Sequence, residues 1–194
     1  MKAVILLGTL KKDSLSNTET LVDFFVPYLQ AKNVKCEVIK SVEYNILPGT
    51  YTHMGAGDAW PDIFKKLVEA QIIIFATPIW WGNHSSETQK IIERLDEVHD
   101  DILAGKESSL ANKAVGIIIT GDSDGSQHII GSIANFVNAL GMIIPPYASL
   151  TVQAAEHAKD QKTSKEALME KYKKEYATTA ETMASQLVEF GSIK

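Results

Sequence analysis

The chain has 194 residues, 45% of them apolar, with 24 acidic and 19 basic side chains that give a net charge of −5 and a pI near 5.5. That length and apolar share suit one domain, 1–194, with a full-sized core, and the absence of long like-charge blocks excludes an electrostatic footprint for nucleic acid or an anionic membrane. A single cysteine, Cys36, excludes an internal disulfide and a multi-cysteine metal centre.

Residues 1–10, "MKAVILLGTL", carry an apolar stretch too short for a secretory signal and no small-residue cleavage pattern, so they read as a first strand, 3–8. No apolar run approaches the ~20 residues needed to cross a bilayer, and a cytoplasmic location is the expectation. The strand runs into "GTLKKDSLSNTETL", 8–21, a turn rich in hydroxyls that leads into a helix with Leu21, Phe24, Phe25, Tyr28 and Leu29 on one face. The turn lacks the third glycine of a dinucleotide fingerprint and the Gly-Lys-Ser/Thr of a Walker loop. What it offers is a helix N-terminus, whose free N–H groups and dipole favour an anion such as a phosphomonoester. Ser16 and Glu19 also form a capping-box pattern that accounts for those two residues with no ligand, although four hydroxyls, an amide and two lysines exceed what a cap needs.

A second strand is read at 35–39, "KCEVI", placing Cys36 as an inert buried thiol, and a third at 71–76, "QIIIFA". The third ends in "TPIWWGNHSS", 77–86, which holds two of the three tryptophans. Pro78 fixes the turn, Gly82 permits close approach of the backbone, and Ser86 with Gln89 reads as a capping box for a helix with Ile91, Leu95 and Val98 on one face. A rigid loop of this kind, with free N–H groups beside aromatic rings, can grip the edge and face of a flat heterocycle. The fourth strand, 113–120, ends in "TGDSDGSQH"; Asp122 and Asp124 have no third and fourth ligand at metal-binding spacing, so no metal is assigned. A helix with Ile129, Ile133, Phe136, Val137 and Leu140 on one face leads to a fifth strand at 141–150 and a polar connection, 151–164. One last helix, with Leu168, Tyr172, Tyr176, Ala180, Met183 and Leu187 on its stripe and Gly191 after its end, closes the chain. His53, His99 and His157 read as surface residues, and His84 and His128 as helix-terminal ones. Alternating apolar strands and amphipathic helices give an α/β fold with a parallel five-stranded sheet covered on both faces, with ligands at the carboxyl ends of the strands.

Three ligand-competent loops in this order, with "TPIWWGN" the most specific of them, resemble the flavodoxin-like NAD(P)H-dependent flavin and quinone reductases, over roughly residues 2–150. The resemblance implies a flavodoxin-like three-layer sandwich that binds FMN. It implies a phosphate loop of Thr9, Lys11, Ser16, Asn17 and Thr18, a flavin-ring loop of Pro78, Ile79, Trp80, Trp81, Gly82 and Asn83, and a third contact from Thr120, Gly121, Asp122 and Gly125. No protein side chain is assigned a catalytic role, because the flavin carries hydride from NAD(P)H to a quinone or similar small-molecule acceptor. A cysteine-ligated iron–sulfur branch of similar proteins is excluded, since the matching segment, 42–63, has no cysteine. The resemblance further implies a homodimer or homotetramer, with a second subunit covering Trp60 and Trp81. Two other readings stand beside it: a flavodoxin-type single-electron carrier between protein partners, and a ligand-free interaction module using the tryptophan pair.

Overall fold

The computed structural model describes residues 1–158 and 162–193. Five strands, β1 (Lys2–Leu7), β2 (Lys35–Lys40), β3 (Ile72–Pro78), β4 (Ala114–Gly121) and β5 (Ser149–Gln153), form one parallel sheet in the order β2-β1-β3-β4-β5. The helices are α1 (Asn17–Gln30), α2 (Trp60–Glu69), α3 (Ser86–Arg94), α4 (Asp96–Leu103), α5 (Ser126–Ala139), α6 (Lys165–Glu175) and α7 (Ala177–Gly191). This is the flavodoxin-like order, in which the chain reverses direction across the sheet between β1 and β3 and leaves a crevice at their carboxyl ends.

The period-two alternation of strand side chains splits the core in two. Ala3, Ile5, Leu7, Ile72 and Ile74 face one layer with Phe25 of α1 and Met183 and Leu187 of α7. Val4, Leu6, Ile73, Phe75 and Ile117 face the other, with Trp60 and Leu67 of α2 and Ile129 and Ile133 of α5. β1, β3 and β4 are buried almost throughout, which is why they read as continuous apolar runs. Among the described residues no helix is long and apolar enough to cross a membrane.

The run 141–150 is not one strand. Ile143 makes a single bridge to Ala114, and Pro145 and Pro146 lack the N–H groups a ladder needs. The chain then turns through Tyr147 at φ +58 before β5 begins at Ser149. The last helix is two helices meeting at Tyr176, and Gly191 ends α7 from inside; the buried stripe runs on because both helices press on the same face. The cap of α3 is Ser85, whose hydroxyl accepts from the N–H of Thr88, and not Ser86. Helix α2 has no counterpart among the elements expected from the sequence, and its Trp60 is fully buried rather than exposed.

The irregular stretch between β2 and α2 is held by an ion pair that sequence periodicity does not reveal. Arg94 and Asp58 meet at 2.7 Å with side chains 0% and 1% exposed. Nε of Arg94 donates to the carbonyl of Tyr51, Nη1 to Leu47 and Nη2 to Thr52, and the guanidinium lies 5.7 Å from the Trp60 ring centroid. Asp58 in turn accepts from the N–H groups of Leu47, Met54 and Trp60.

Candidate functional site: a cleft at the carboxyl ends of β1, β3 and β4

Where β1 ends, the backbone of Gly8 runs directly under the start of α3. A Cβ at Gly8 would lie 2.0 Å from the Thr88 hydroxyl, and Ser85 Oγ donates to the Gly8 carbonyl. The chain then loops out and returns at Ser16, the N-cap of α1 in extended conformation, whose hydroxyl accepts from the N–H of Glu19 at 3.2 Å. The capping reading of Ser16 is therefore correct, but Glu19 does not complete the box: its carboxylate pairs with Lys40 at 3.0 Å, and Lys40 also donates to the Lys12 carbonyl.

The buried hydroxyls of this loop are ordered among themselves. Ser16 donates to Thr9 Oγ1 at 2.9 Å, and the N–H of Lys11 donates to the same oxygen at 3.2 Å. Thr9 thus accepts twice, and its own proton has no acceptor among the described residues. Thr18 and Thr120 share a hydrogen bond of 2.7 Å that uses one of their two protons and leaves the other to donate. Among the described residues the N–H groups of Asn17 and Thr18, in the first turn of α1, also lack acceptors, as helix geometry requires. Lys11 keeps its ammonium on the loop by donating to the Leu15 carbonyl at 2.8 Å.

From β3, the Ile79 N–H reaches across to the Thr120 carbonyl at 2.8 Å, and the chain then doubles back in a two-residue hairpin. Trp80 and Asn83 exchange backbone hydrogen bonds of 2.7 and 2.9 Å, while Trp81 and Gly82 between them have φ of +51 and +75. Both central residues at positive φ mark a type I′ turn. The β4–α5 loop buttresses it. Gly125, at φ +136, packs so closely that a Cβ there would sit 2.7 Å from Gly82 Cα, and His128 Nε2 lies 3.1 Å from Asn83 Oδ1.

These loops enclose a cleft of about 800 Å³, within the range of ~300–1,000 Å³ usual for small-molecule and cofactor sites. Of the residues singled out in the sequence, Thr9, Lys11, Ser16, Asn17 and Thr18 line one part of it. Pro78, Ile79, Trp80, Trp81, Thr120, Gly121 and Asp122 line another part. Gly82, Asn83 and Gly125 do not line it; they build the turn that carries Trp81. Asp122 is exposed, as is Asp124, whose carboxylate accepts from the Gly125 N–H.

The sequence reading missed the wall contributed after β5. His157, taken for a surface residue, is half-buried and lines the cleft. Its Nδ1 lies 3.2 Å from the Gly121 carbonyl and its Nε2 2.9 Å from the Tyr172 hydroxyl. A carbonyl only accepts, so Nδ1 carries the proton and Tyr172 donates to Nε2. Burial lowers the His157 pKa and, more strongly, raises that of the fully buried Tyr172, so both are neutral. The His157 carbonyl also accepts from Asn17 Nδ2 at 3.2 Å, tying this wall to the start of α1. No motif marks the segment; the only signal was a histidine and a later tyrosine in an otherwise unremarked connection. A second depression, of about 360 Å³ and lined by Ile92, His99, Phe136 and Leu140 among others, lies against α3, α4 and α5, away from all three loops.

Residues 1–157 match the family model described as NADPH-dependent FMN reductase. The chain belongs to this family. The chain is thus a flavodoxin-like flavoprotein of an oxidoreductase family. It is 33% identical over 162 residues to an 8-demethyl-8-aminoriboflavin-5'-phosphate synthase from Streptomyces davaonensis, a match covering 77% of this chain and 62% of the relative. This FMN reductase family member thus spans less than two thirds of that relative's length. Among solved structures, RosB with a bound 8-demethyl-8-formylriboflavin-5'-phosphate superposes with a TM-score of 0.76 at 22% identity, covering 98% of this chain and 79% of that one. An apo NADH:FMN oxidoreductase, EMOB, gives a TM-score of 0.65 at 13% identity over 98% of this chain and 88% of that one. At those identities the two structures establish the fold.

Proposed function

We propose that the protein is an FMN-dependent reductase that takes hydride from NAD(P)H and passes it to a quinone or similar small acceptor, in the balance NAD(P)H + H⁺ + quinone → NAD(P)⁺ + hydroquinone. The observation that carries this is the set of donors left unused at one end of the cleft. Two N–H groups of the α1 first turn and the spare protons of Thr9 and of the Thr18–Thr120 pair belong to residues that line the cleft, and together with the helix dipole they suit a phosphomonoester. FMN, when bound, supplies the two-electron chemistry. The chain's own part is to hold the phosphate at α1 and to border the ring with Trp80 and Ile79, on a loop fixed by the turn at Gly82 and Asn83. The 33%-identical relative, named for making a riboflavin 5'-phosphate derivative, supports a flavin phosphate as the ligand. A net charge of −5 on 194 residues is modest for a single-electron carrier, and it supports the reductase over that reading.

The test is anaerobic mixing of FMN-loaded protein with NADPH or NADH, followed by a quinone. The yellow flavin absorbance is expected to bleach with at least one nucleotide and to return with the quinone, without a long-lived semiquinone. A flavin reduced only by dithionite, through a persistent semiquinone, supports the electron carrier instead. Flavin recovered with an altered mass points to flavin modification.

A further inference from the structure

His157 sits outside the three loops expected to hold the ligand, in the short 3₁₀ turn Ala155–His157 after β5, yet it lines the cleft with them. Both ring nitrogens and the backbone carbonyl are engaged. Nδ1 donates to the Gly121 carbonyl at 3.2 Å, Nε2 accepts from the Tyr172 hydroxyl at 2.9 Å, and the carbonyl accepts from Asn17 Nδ2 at 3.2 Å. These bonds close a circuit. Asn17 is joined by a peptide bond to Thr18, Thr18 shares a 2.7 Å hydrogen bond with Thr120, and Thr120 is joined to Gly121, which returns to the imidazole. Tyr172 of α6 is fully buried with its ring centroid 5.9 Å from that of Phe24 in α1, so the circuit is also pinned from the core. The Gly121 carbonyl accepts a second bond, from the Ala154 N–H at 2.9 Å, which fixes the turn at its other end. A wall that only excluded water would need none of these atoms, because burying an imidazole and a phenol is costly unless each polar atom is paired.

We propose that His157 is a positioning residue for the flavin 5'-phosphate, closing a ring of hydrogen bonds that fixes the start of α1 against the end of β4 before the ligand arrives. The two places it joins carry donors that have no acceptor among the described residues: the N–H groups of Asn17 and Thr18, and the spare proton of the Thr18–Thr120 pair. The imidazole acts on the phosphate through Asn17 and Gly121, not by contact. Removing it lets those donors spread apart in the free protein, and binding then carries the cost of ordering them. Riboflavin has no phosphate, so it gains nothing from donors held in place. The proposal rests on the FMN reading of the cleft.

The experiment titrates flavin-free protein with FMN and with riboflavin, comparing wild type with His157→Ala, His157→Gln, Asn17→Ala and the double variant His157→Ala/Asn17→Ala, each first shown to melt cooperatively. His157→Ala is expected to weaken FMN about tenfold and riboflavin by less than about twofold. His157→Gln carries a donor for Gly121 and an acceptor for Tyr172, and is expected to recover most of the loss. Because His157 acts through Asn17, the double variant is expected to lose less than the product of the two single losses. If His157→Ala does not fold, the cycle is run with Tyr172→Phe, which keeps the buried ring and removes only the donor to Nε2. FMN bound by the first variant as tightly as by wild type overturns the positioning role alone, as does an equal loss of FMN and riboflavin, or full additivity with Asn17→Ala. Failure of wild type to bind FMN overturns the positioning role and the function it rests on together.

Discussion

Asp58 and Arg94 form a fully buried ion pair, so removing either one strands a charge in the core. Burial by itself would raise the Asp58 carboxyl, but the Arg94 guanidinium and three backbone N–H donors outweigh it and hold its pKa at about 2. Its ordinary value is about 3.9, so the native state binds fewer protons there than the unfolded chain. The stability it contributes is complete above that value and is lost as pH falls from there toward 2. Removing one partner strands a buried charge, so Arg94→Ala is expected to cost about 3–5 kcal/mol in urea unfolding, and a loss below 1 kcal/mol would contradict the account. His157 has the opposite chemistry and the same sign. Burial lowers its pKa, so the native state resists protonation, and stability is expected to decline as pH drops below about 6.5, the unfolded value. Lys171 and Glu156 lie close enough to act on the ring with opposite signs, and Tyr172 holds Nε2. The ring C–H resonances of His157, followed by NMR, are expected to titrate below that value. A midpoint at or above it would contradict the burial of the neutral ring in the cleft wall. Neither residue announces itself in the sequence, because an ion pair between positions 58 and 94 and a histidine paired 15 positions on have no period to detect.

Helix α1 and the Trp80–Asn83 hairpin do the positioning. The hydroxyl of Ser16 caps α1 and orients Thr9 at the same time, so Ser16→Ala is expected to cost about 1 kcal/mol of stability and to weaken FMN about tenfold or more, since Thr9 is freed to turn away from the cleft. A stability loss with FMN affinity unchanged would confine Ser16 to capping. Gly125 has no room for a methyl group against Gly82 and sits at φ +136. Gly125→Ala is expected to push the hairpin off its position and lower FMN affinity, read by fluorescence quenching, even if the protein remains folded. At this scale the sequence was legible where a strand or helix carried its own period. The buried runs of β1, β3 and β4 and the faces of α1 and α5 were read directly from apolar spacing. It was not legible where two elements share one stripe, as in α6 and α7, or where prolines interrupt an apolar run, as before β5. Helix α2 was hidden because its N-cap, Ala59, offers no side-chain acceptor, the Trp60 N–H going instead to Asp58 one residue before the cap, with Pro61 inside the first turn.

Across the whole molecule, the strand order brings three loops that are far apart in sequence to one end of the sheet, and this turns three weak motifs into one site. The loops themselves could be named from sequence because each ends an apolar strand and carries turn residues. Which of their side chains face the cleft could not, since that depends on the type I′ turn and on hydroxyls that bond to one another. The wall after β5 was invisible for the same reason: its membership follows from Gly121 and Asn17 meeting His157 in space. In the proposed function this cleft holds a flavin by its 5'-phosphate at the start of α1. Calorimetric titration of the flavin-free protein with FMN and, separately, with riboflavin tests it most directly. Each charge-assisted hydrogen bond to the phosphate contributes about 1.5–3 kcal/mol, so FMN is expected to bind at least about a hundredfold more tightly than riboflavin; equal affinity for the two would contradict the claim.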